Sequence, residues 1–226
     1  MSTIKDIRVY RSHVENIPGN SLPEGFKNKQ LHCTIHRIVM KLHENDFSLG
    51  EFDHLYINLT TCPVADGFSL SKRGKDIYEP WYRYYDVEIN EELYNSLEIP
   101  DSVQPVLDIV EHTLVLFFTD VHQNRELVHS CVFDAVTMGE NMEMLFKRKV
   151  SSKRKAFIYL RYLDSGCYFP LLRIYDDENR LMFETDLPKT IELNAFGEIQ
   201  LNNKSITIKP RKNVFAEHLQ PMIFTF

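Results

Sequence analysis

Leu55, Ile57 and Leu59 alternate with Tyr56, Asn58 and Thr60 in "HLYINLTTCP", a period of two that predicts a strand with one apolar and one polar face. "IKDIRVYRSHV" repeats the pattern, with Ile7 and Val9 set between charges. In "WYRYYDVEIN", Trp81, Arg83, Tyr85, Val87 and Ile89 share a side. A loop rich in turn formers runs from Asn16 to Gln30, with Pro18, Gly19, Asn20, Pro23 and Gly25. "LHCTIHRIVMKLH" is ambiguous: the alternation Leu31, Cys33, Ile35 slips phase to Ile38, Met40, Leu42. A bulged strand or a short helix gives such a slip; the strand is our expectation, because a bulge adds one residue and re-aims the chain. A polar loop with Gly67 and Gly74 leads on to the strand at Trp81.

The period changes after Ile89. Asn90 before "EELYNSL" predicts a capped short helix with acidic residues in its first turn, where the helix dipole favours them. A longer helix follows, capped by Asp101 or Ser102, with Val103, Val106, Val110, Leu114 and Phe117 at helical spacing and Pro105 in the tolerant first turn. Another is expected from about Asn124 to Met138, burying Leu127, Val128, Cys131, Val132 and Ala135 and stopping at Gly139. From there the chain returns to short strands: "AFIYLRYLD", "CYFPLLRIYD", "RLMFETDLP", "TIELNAF", "EIQLNN" and "SITIKP", joined by tight turns such as "DSG" and "DDEN". The order predicts an α+β protein of mainly antiparallel sheet, with a central helical segment over about 90–145 and a C-terminal β-meander. We divide it into an α+β region, 1–150, and a meander, 151–226, which pack as one domain or as two.

Composition sharpens this reading at a few points. Aromatics are generous, with 15 Phe and 11 Tyr, which suits β-structure and contact surfaces. The longest apolar run, "TLVLFF", falls far short of the roughly 18 residues of a membrane span. The start "MSTIKDIRVYRSH" has no apolar signal core. Cys33, Cys62, Cys131 and Cys167 form no CxxC pair and are too sparse for a disulfide framework. A reduced, cytoplasmic protein away from membranes is the expectation.

Net charge is −6, yet Lys147, Arg148, Lys149, Lys153, Arg154 and Lys155 put six bases into nine positions of "FKRKVSSKRKAF". Without them, 20 bases face 32 acids, a balance of −12 that repels a polyanion and disfavours nucleic acid as a partner. We read the stretch as a seam between helix and strand, its bases favoured at a helix C-terminus, with contact to an acidic partner as the alternative.

Candidate chemistry is sparse. His32, His36 and His43 would share a face on a helix and could hold zinc, but the strand expectation separates them and no HExxH motif accompanies them. Asp120, His122, His112 and His129 are candidates for acid–base work without a nucleophile motif nearby. There is no GxxxxGK[ST] or GxGxxG loop, so neither a cofactor nor a metal is expected. "YEPWYRYYD" carries the single Trp and four tyrosines on both faces of one strand, residue types that dominate protein–protein hot spots. Asp176 and Asp177 sit in an acidic turn.

"FDHLYINLTTCP", "WYRYYDVEIN" and the acidic-started helices, about a third of the chain, resemble small bacterial immunity proteins of toxin–immunity systems. That resemblance implies a cytosolic, non-catalytic inhibitor that covers a toxin, and no catalytic residues to carry over. The expected function is therefore protein binding of an immunity or antitoxin kind, directed at a basic partner such as a toxin domain. Expected contacts are Tyr82, Arg83, Tyr84, Asp86 and Glu88, with Asp176 and Asp177 as rim charges. The alternative is an enzyme whose site is assembled from scattered His and Asp residues.

Overall fold

The computed structural model describes residues 2–15, 23–72, 80–119 and 124–226. The chain divides into two compact units, Met1–Gly139 and Glu140–Phe226. Of the eight strand pairings among the described residues, six are antiparallel, so the chain is α+β with mainly antiparallel sheet. The two parallel pairings are both in the first unit.

In order, the first unit runs β1 (Asp6–Ser12), α1 (Lys29–Glu44), β2 (His54–Thr60), β3 (Phe68–Leu70), β4 (Tyr82–Glu88), α2 (Glu91–Ser96), α3 (Val103–Phe118) and α4 (Arg125–Met138). Its sheet has the order β1-β2-β4-β3, with β1, β2 and β4 parallel and β3 antiparallel to β4. The segment expected to be a bulged strand is helix α1. Leu31, Ile35, Ile38 and Leu42 recur at i, i+4, i+7 and i+11 and are all buried. The Asn28 side chain caps the helix, accepting from the Leu31 N–H at 3.2 Å. A helical period sustained over twelve residues outweighs the brief alternation that Cys33 creates. The consequence is topological: a helix at this point is the crossover that lets β2 run parallel to β1.

The later helices form where the pattern placed them. Asn90 caps α2 through the Leu93 N–H at 2.8 Å, and α4 ends at Gly139, whose φ of +53° suits glycine. Ser102 does not cap α3; its hydroxyl donates instead to the carbonyls of Leu97 and Ile99.

The two faces of the parallel sheet differ in character. Ile7, Val9, Leu55, Ile57, Leu59, Tyr85 and Val87 make an apolar face, and Tyr85 packs on Phe117 and Phe118 of α3. Helix α1 packs against β1, α3 and α4. The register sets the opposite face in rows across β1, β2 and β4: Asp6, His54, Tyr82; Arg8, Tyr56, Tyr84; Tyr10, Asn58, Asp86; and Ser12, Thr60, Glu88. Every residue of that face is polar or aromatic.

The second unit holds β5 (Met144–Val150), β6 (Arg154–Tyr162), β7 (Tyr168–Asp176) and β8 (Leu181–Asp186) in one antiparallel meander. A second sheet follows, with β9 (Ile199–Leu201), β10 (Ser205–Ile208) and β11 (Met222–Thr225) in the order β11-β10-β9. Ala156, Ile158, Leu172 and Ile174 from the meander share one core with Ile199, Ile206 and Ile208, joined by Leu187 and Phe196. Each buried Ile or Leu side chain of this core contributes about 1.5–3 kcal/mol of transfer free energy.

Two expectations change here. "TIELNAF" is not a strand: Thr190 makes one bridge to Tyr168, and Leu193–Ala195 turns as a short 3₁₀ segment. The basic stretch is a β-hairpin, not a helix end. Arg148 pairs with Phe157 and Val150 with Lys155, and the Ser151 hydroxyl donates to the Arg154 carbonyl across the turn.

Candidate functional site: a polar cleft at the carboxyl ends of the parallel strands

A cleft of about 400 Å³ opens where β1, β2 and β4 end, lined by Val14, Glu15, Asn58, Thr60, Cys62, Pro63, Val64, Ala65, Ser69, Leu70, Lys72 and Asp86. The strands follow one another across the sheet without reversing direction, so this is not the crevice of a topological switch point. Its walls are instead the loops after β1 and β2, together with β3. Cys62 ties the two loops: its N–H donates to the Thr60 hydroxyl at 3.1 Å, and its thiol donates to the His13 carbonyl at 3.2 Å. The Val64 N–H donates to Glu88 Oε2 at 2.8 Å, which fastens the β2 loop to the end of β4.

Three polar side chains from three adjacent strands meet in the sheet at the cleft. Asn58 is 1% exposed and Asp86 3%, and Ser12 is buried beside them. Asn58 Nδ2 donates to Asp86 Oδ1 at 2.8 Å and to Ser12 Oγ at 3.1 Å. That geometry fixes the amide orientation, because a carboxylate offers nothing for an amide oxygen to accept. Asn58 Oδ1 is left buried without a partner among the described residues. Asn58 supplies the one hydrogen bond to the Asp86 carboxyl there. Buried acceptors in native proteins are almost always satisfied, since each unmet one costs about 1–3 kcal/mol. Asp86 is far more demanding than a neutral acceptor, because a buried charge needs both a partner and hydrogen bonds.

Further from the cleft, the same face carries a tyrosine cluster. Tyr56 stacks on Tyr82 with ring centroids 4.9 Å apart and meets Tyr84 edge-on at 5.2 Å. Tyr10 completes it, 5.5 Å from Tyr56 and 5.8 Å from Tyr84, and the Arg8 guanidinium lies 5.5 Å from the Tyr56 ring. This accounts for aromatics on both sides of β4: Tyr85 serves the helix-facing core and Tyr82 and Tyr84 the cluster.

The expected contact residues therefore occupy different environments. Tyr82 and Arg83 are partly accessible and Glu88 is exposed, whereas Tyr84 and Asp86 are buried. Arg83 points to the other side of the sheet, its guanidinium 5.3 Å from the Phe52 ring. In the second unit, Asp177 is exposed, but Asp176 is 3% exposed and closes the β7–β8 turn. The Arg180 backbone N–H at 2.8 Å and its guanidinium at 2.7 Å hold the Asp176 carboxyl below the usual range. A flat partner surface on the tyrosine-bearing face meets Tyr82 and Glu88 readily and Tyr84 and Asp86 hardly at all, while Arg83 is accessible only from the opposite face. In the second unit Asp177 is accessible and Asp176 is not.

The histidines are committed elsewhere. His32, His36 and His43 do lie on one helix, but His32 bonds to the Phe26 carbonyl at 3.0 Å and His43 to the Ile4 carbonyl at 2.7 Å. Among the described residues no group of three or more His, Cys, Asp and Glu could hold a metal ion. His129 pairs with Glu111 between α4 and α3, and His112 meets Phe68 at a tilt, ring centroids 4.6 Å apart. Asp120 and His122 lie outside the described residues, as do Tyr78 and Gly74. Among the described residues, no helix is long and apolar enough to cross a membrane.

Sequence reasoning missed Ser12, Asn58 and Thr60. The signal was present as a polar Asn in the middle of the most regular strand, but its neighbours become visible only with the parallel register. No protein-family model, no curated protein and no solved structure matches the chain.

Proposed function

We propose that the chain is a binding protein of an immunity or antitoxin kind, whose first unit covers a basic partner protein. The observation that supports this is the partition of charge. Residues 1–139 hold 12 Lys and Arg against 21 Asp and Glu, a balance of −9, while residues 140–226 hold 14 against 11, a balance of +3. Acidity is thus a property of the unit that carries the cleft and the tyrosine cluster, not of the chain as a whole. Such a field steers a basic partner and raises its association rate. Tyr82 and Glu88 supply accessible contact area on the tyrosine-bearing face, and Arg83 supplies it on the opposite one.

The test is capture of partners by the tagged full-length chain from its own cell lysate, followed by kinetics with the purified partner. The expected partner is a basic protein retained stoichiometrically. Its association rate should fall steeply between about 50 and 500 mM salt as charges are screened, and fall again in Glu15→Gln/Glu88→Gln. An acidic partner, or an association rate indifferent to salt, would overturn the proposal.

A further inference from the structure

The geometry points to the cleft as a receptor for a guanidinium group. Its floor offers acceptors: Asn58 Nδ2 is spent on Ser12 and Asp86, while Asn58 Oδ1 has no partner among the described residues. Asn58 and Asp86 stand opposite one another in register on adjacent strands, and both line the cleft. A group completing them must donate at least two N–H bonds, and it gains most if it is cationic, because Asp86 is a buried carboxylate with one neutral partner.

A guanidinium meets both conditions. It is planar, forks its N–H groups towards paired acceptors, and is more weakly hydrated than an ammonium, so it enters a desolvated floor more readily. Glu15 adds a second carboxylate at the lining, and Lys72 is the one cation there among the described residues. A volume of about 400 Å³ accommodates an arginine-sized molecule. The group can come from an arginine side chain of a partner protein or from a free arginine-like metabolite. The inference rests on the partner reading only for the first source.

Agmatine, acetyl-arginine amide, free arginine and acetyl-lysine amide are to be titrated into the full-length chain, with amide and side-chain chemical shifts followed by NMR. Agmatine and acetyl-arginine amide should bind with Kd of about 1 mM or tighter. Shifts should be largest for the Asn58 side-chain NH₂, Thr60, Cys62 and Val64, and the lysine analogue should bind at least about tenfold more weakly. Asp86→Asn and Asn58→Leu should each weaken binding about tenfold or more. The shift map on the unmodified chain keeps the test decisive where a variant fails to fold.

If free arginine binds more tightly than acetyl-arginine amide, and Lys72→Met abolishes that advantage, the source is a small molecule whose carboxylate Lys72 holds. Equal or tighter binding of acetyl-arginine amide assigns the cleft to a partner's side chain. No shift at the lining up to about 20 mM agmatine, or equal binding of the lysine analogue, overturns the assignment. Either result leaves the salt-dependent partner test standing on its own.

Discussion

Gly197 makes the sharpest stability prediction, because its neighbour is backbone. A Cβ placed on it would lie 2.3 Å from the Pro210 carbonyl oxygen, 2.6 Å from that carbonyl carbon and 2.8 Å from Arg211 N. Contacts under 3.0 Å essentially never occur for a real Cβ, so opening 2.3 Å to 3.0 Å demands a shift of at least 0.7 Å. The strands cannot slide apart freely. Gly197 N donates to Lys209 O at 2.7 Å, Lys209 N to Glu198 O at 2.9 Å and Arg211 N to Asn194 O at 2.8 Å, all across this approach.

Overpacking a tight site costs about 1–3 kcal/mol, and loosening one or two of these bonds adds about 1 kcal/mol each. Gly197→Ala should therefore destabilise the second unit by about 2–5 kcal/mol, a large share of the 5–15 kcal/mol typical of a domain. Urea unfolding followed by circular dichroism measures it, with Gly25→Ala as control, since nothing lies within 4 Å of a Cβ there. Hydrogen exchange should also accelerate at Ile199, Ile206 and Ile208. A Gly197→Ala midpoint within about 0.5 kcal/mol of the parent would refute the close-approach reasoning.

Other expectations follow from single groups. Asn28 caps α1 and its Nδ2 also reaches the carbonyls of Leu97 and Ile99 and the Ser102 hydroxyl, at 3.0, 3.3 and 3.2 Å, so Asn28→Ala should cost about 2–3 kcal/mol in denaturant unfolding. Burial by itself would raise the Asp53 pKa, but hydrogen bonds from Lys5 at 2.6 Å and His54 at 2.5 Å outweigh it and hold the carboxyl below its usual range. A lowered carboxyl pKa gives stability that is complete above about pH 4 and lost as pH falls through the folded value, so the deficit of Asp53→Asn at pH 7 should shrink in acid unfolding series. Burial pushes the Cys131 thiol up to about 11, so native-state thiol titration near pH 8 should label the partly exposed Cys62 and Cys167 well before Cys131 or the buried Cys33, with mass spectrometry locating the adducts.

How far the sequence discloses this protein depends on the range of the interaction that decides each feature. β2 was legible because alternation is local, and α2 because Asn90 and the two glutamates after it form a local cap. Helix α1 was not: Cys33 completes a false alternation between Leu31 and Ile35, and only the full run to Leu42 restores the helical period. That error spread, since without α1 there is no crossover and no reason to set β1, β2 and β4 side by side. The Ser12–Asn58–Asp86 group spans residues 46 and 28 apart along the chain, and no spacing rule reaches that far. β11 lacked a signal of its own; it follows a segment of mixed character and is fixed by pairing with β10.

Charge carries a similar lesson about scale. Averaged over the chain, the bases of residues 147–155 look like an island in an acidic protein, and the remaining −12 argues against any polyanion. Division by unit changes the balance, because 21 of the 32 acidic residues lie before Gly139 and the hairpin belongs to a unit of +3. The hairpin is still not a continuous basic face. Lys147 reaches the Gly197 carbonyl at 2.5 Å from the core-facing side, and burial, with Arg211 nearby, lowers its pKa. Lys155 is engaged by Asn179 at 2.6 Å, and the Arg154 guanidinium donates to the Lys153 carbonyl. What the hairpin offers a partner is Arg148, Lys149 and Lys153, too few for the phosphate-by-phosphate neutralisation that gives polyanion binding its strength. The stronger field is the acidic one, and it belongs to the unit in which Asn58 Oδ1 is buried without a partner among the described residues.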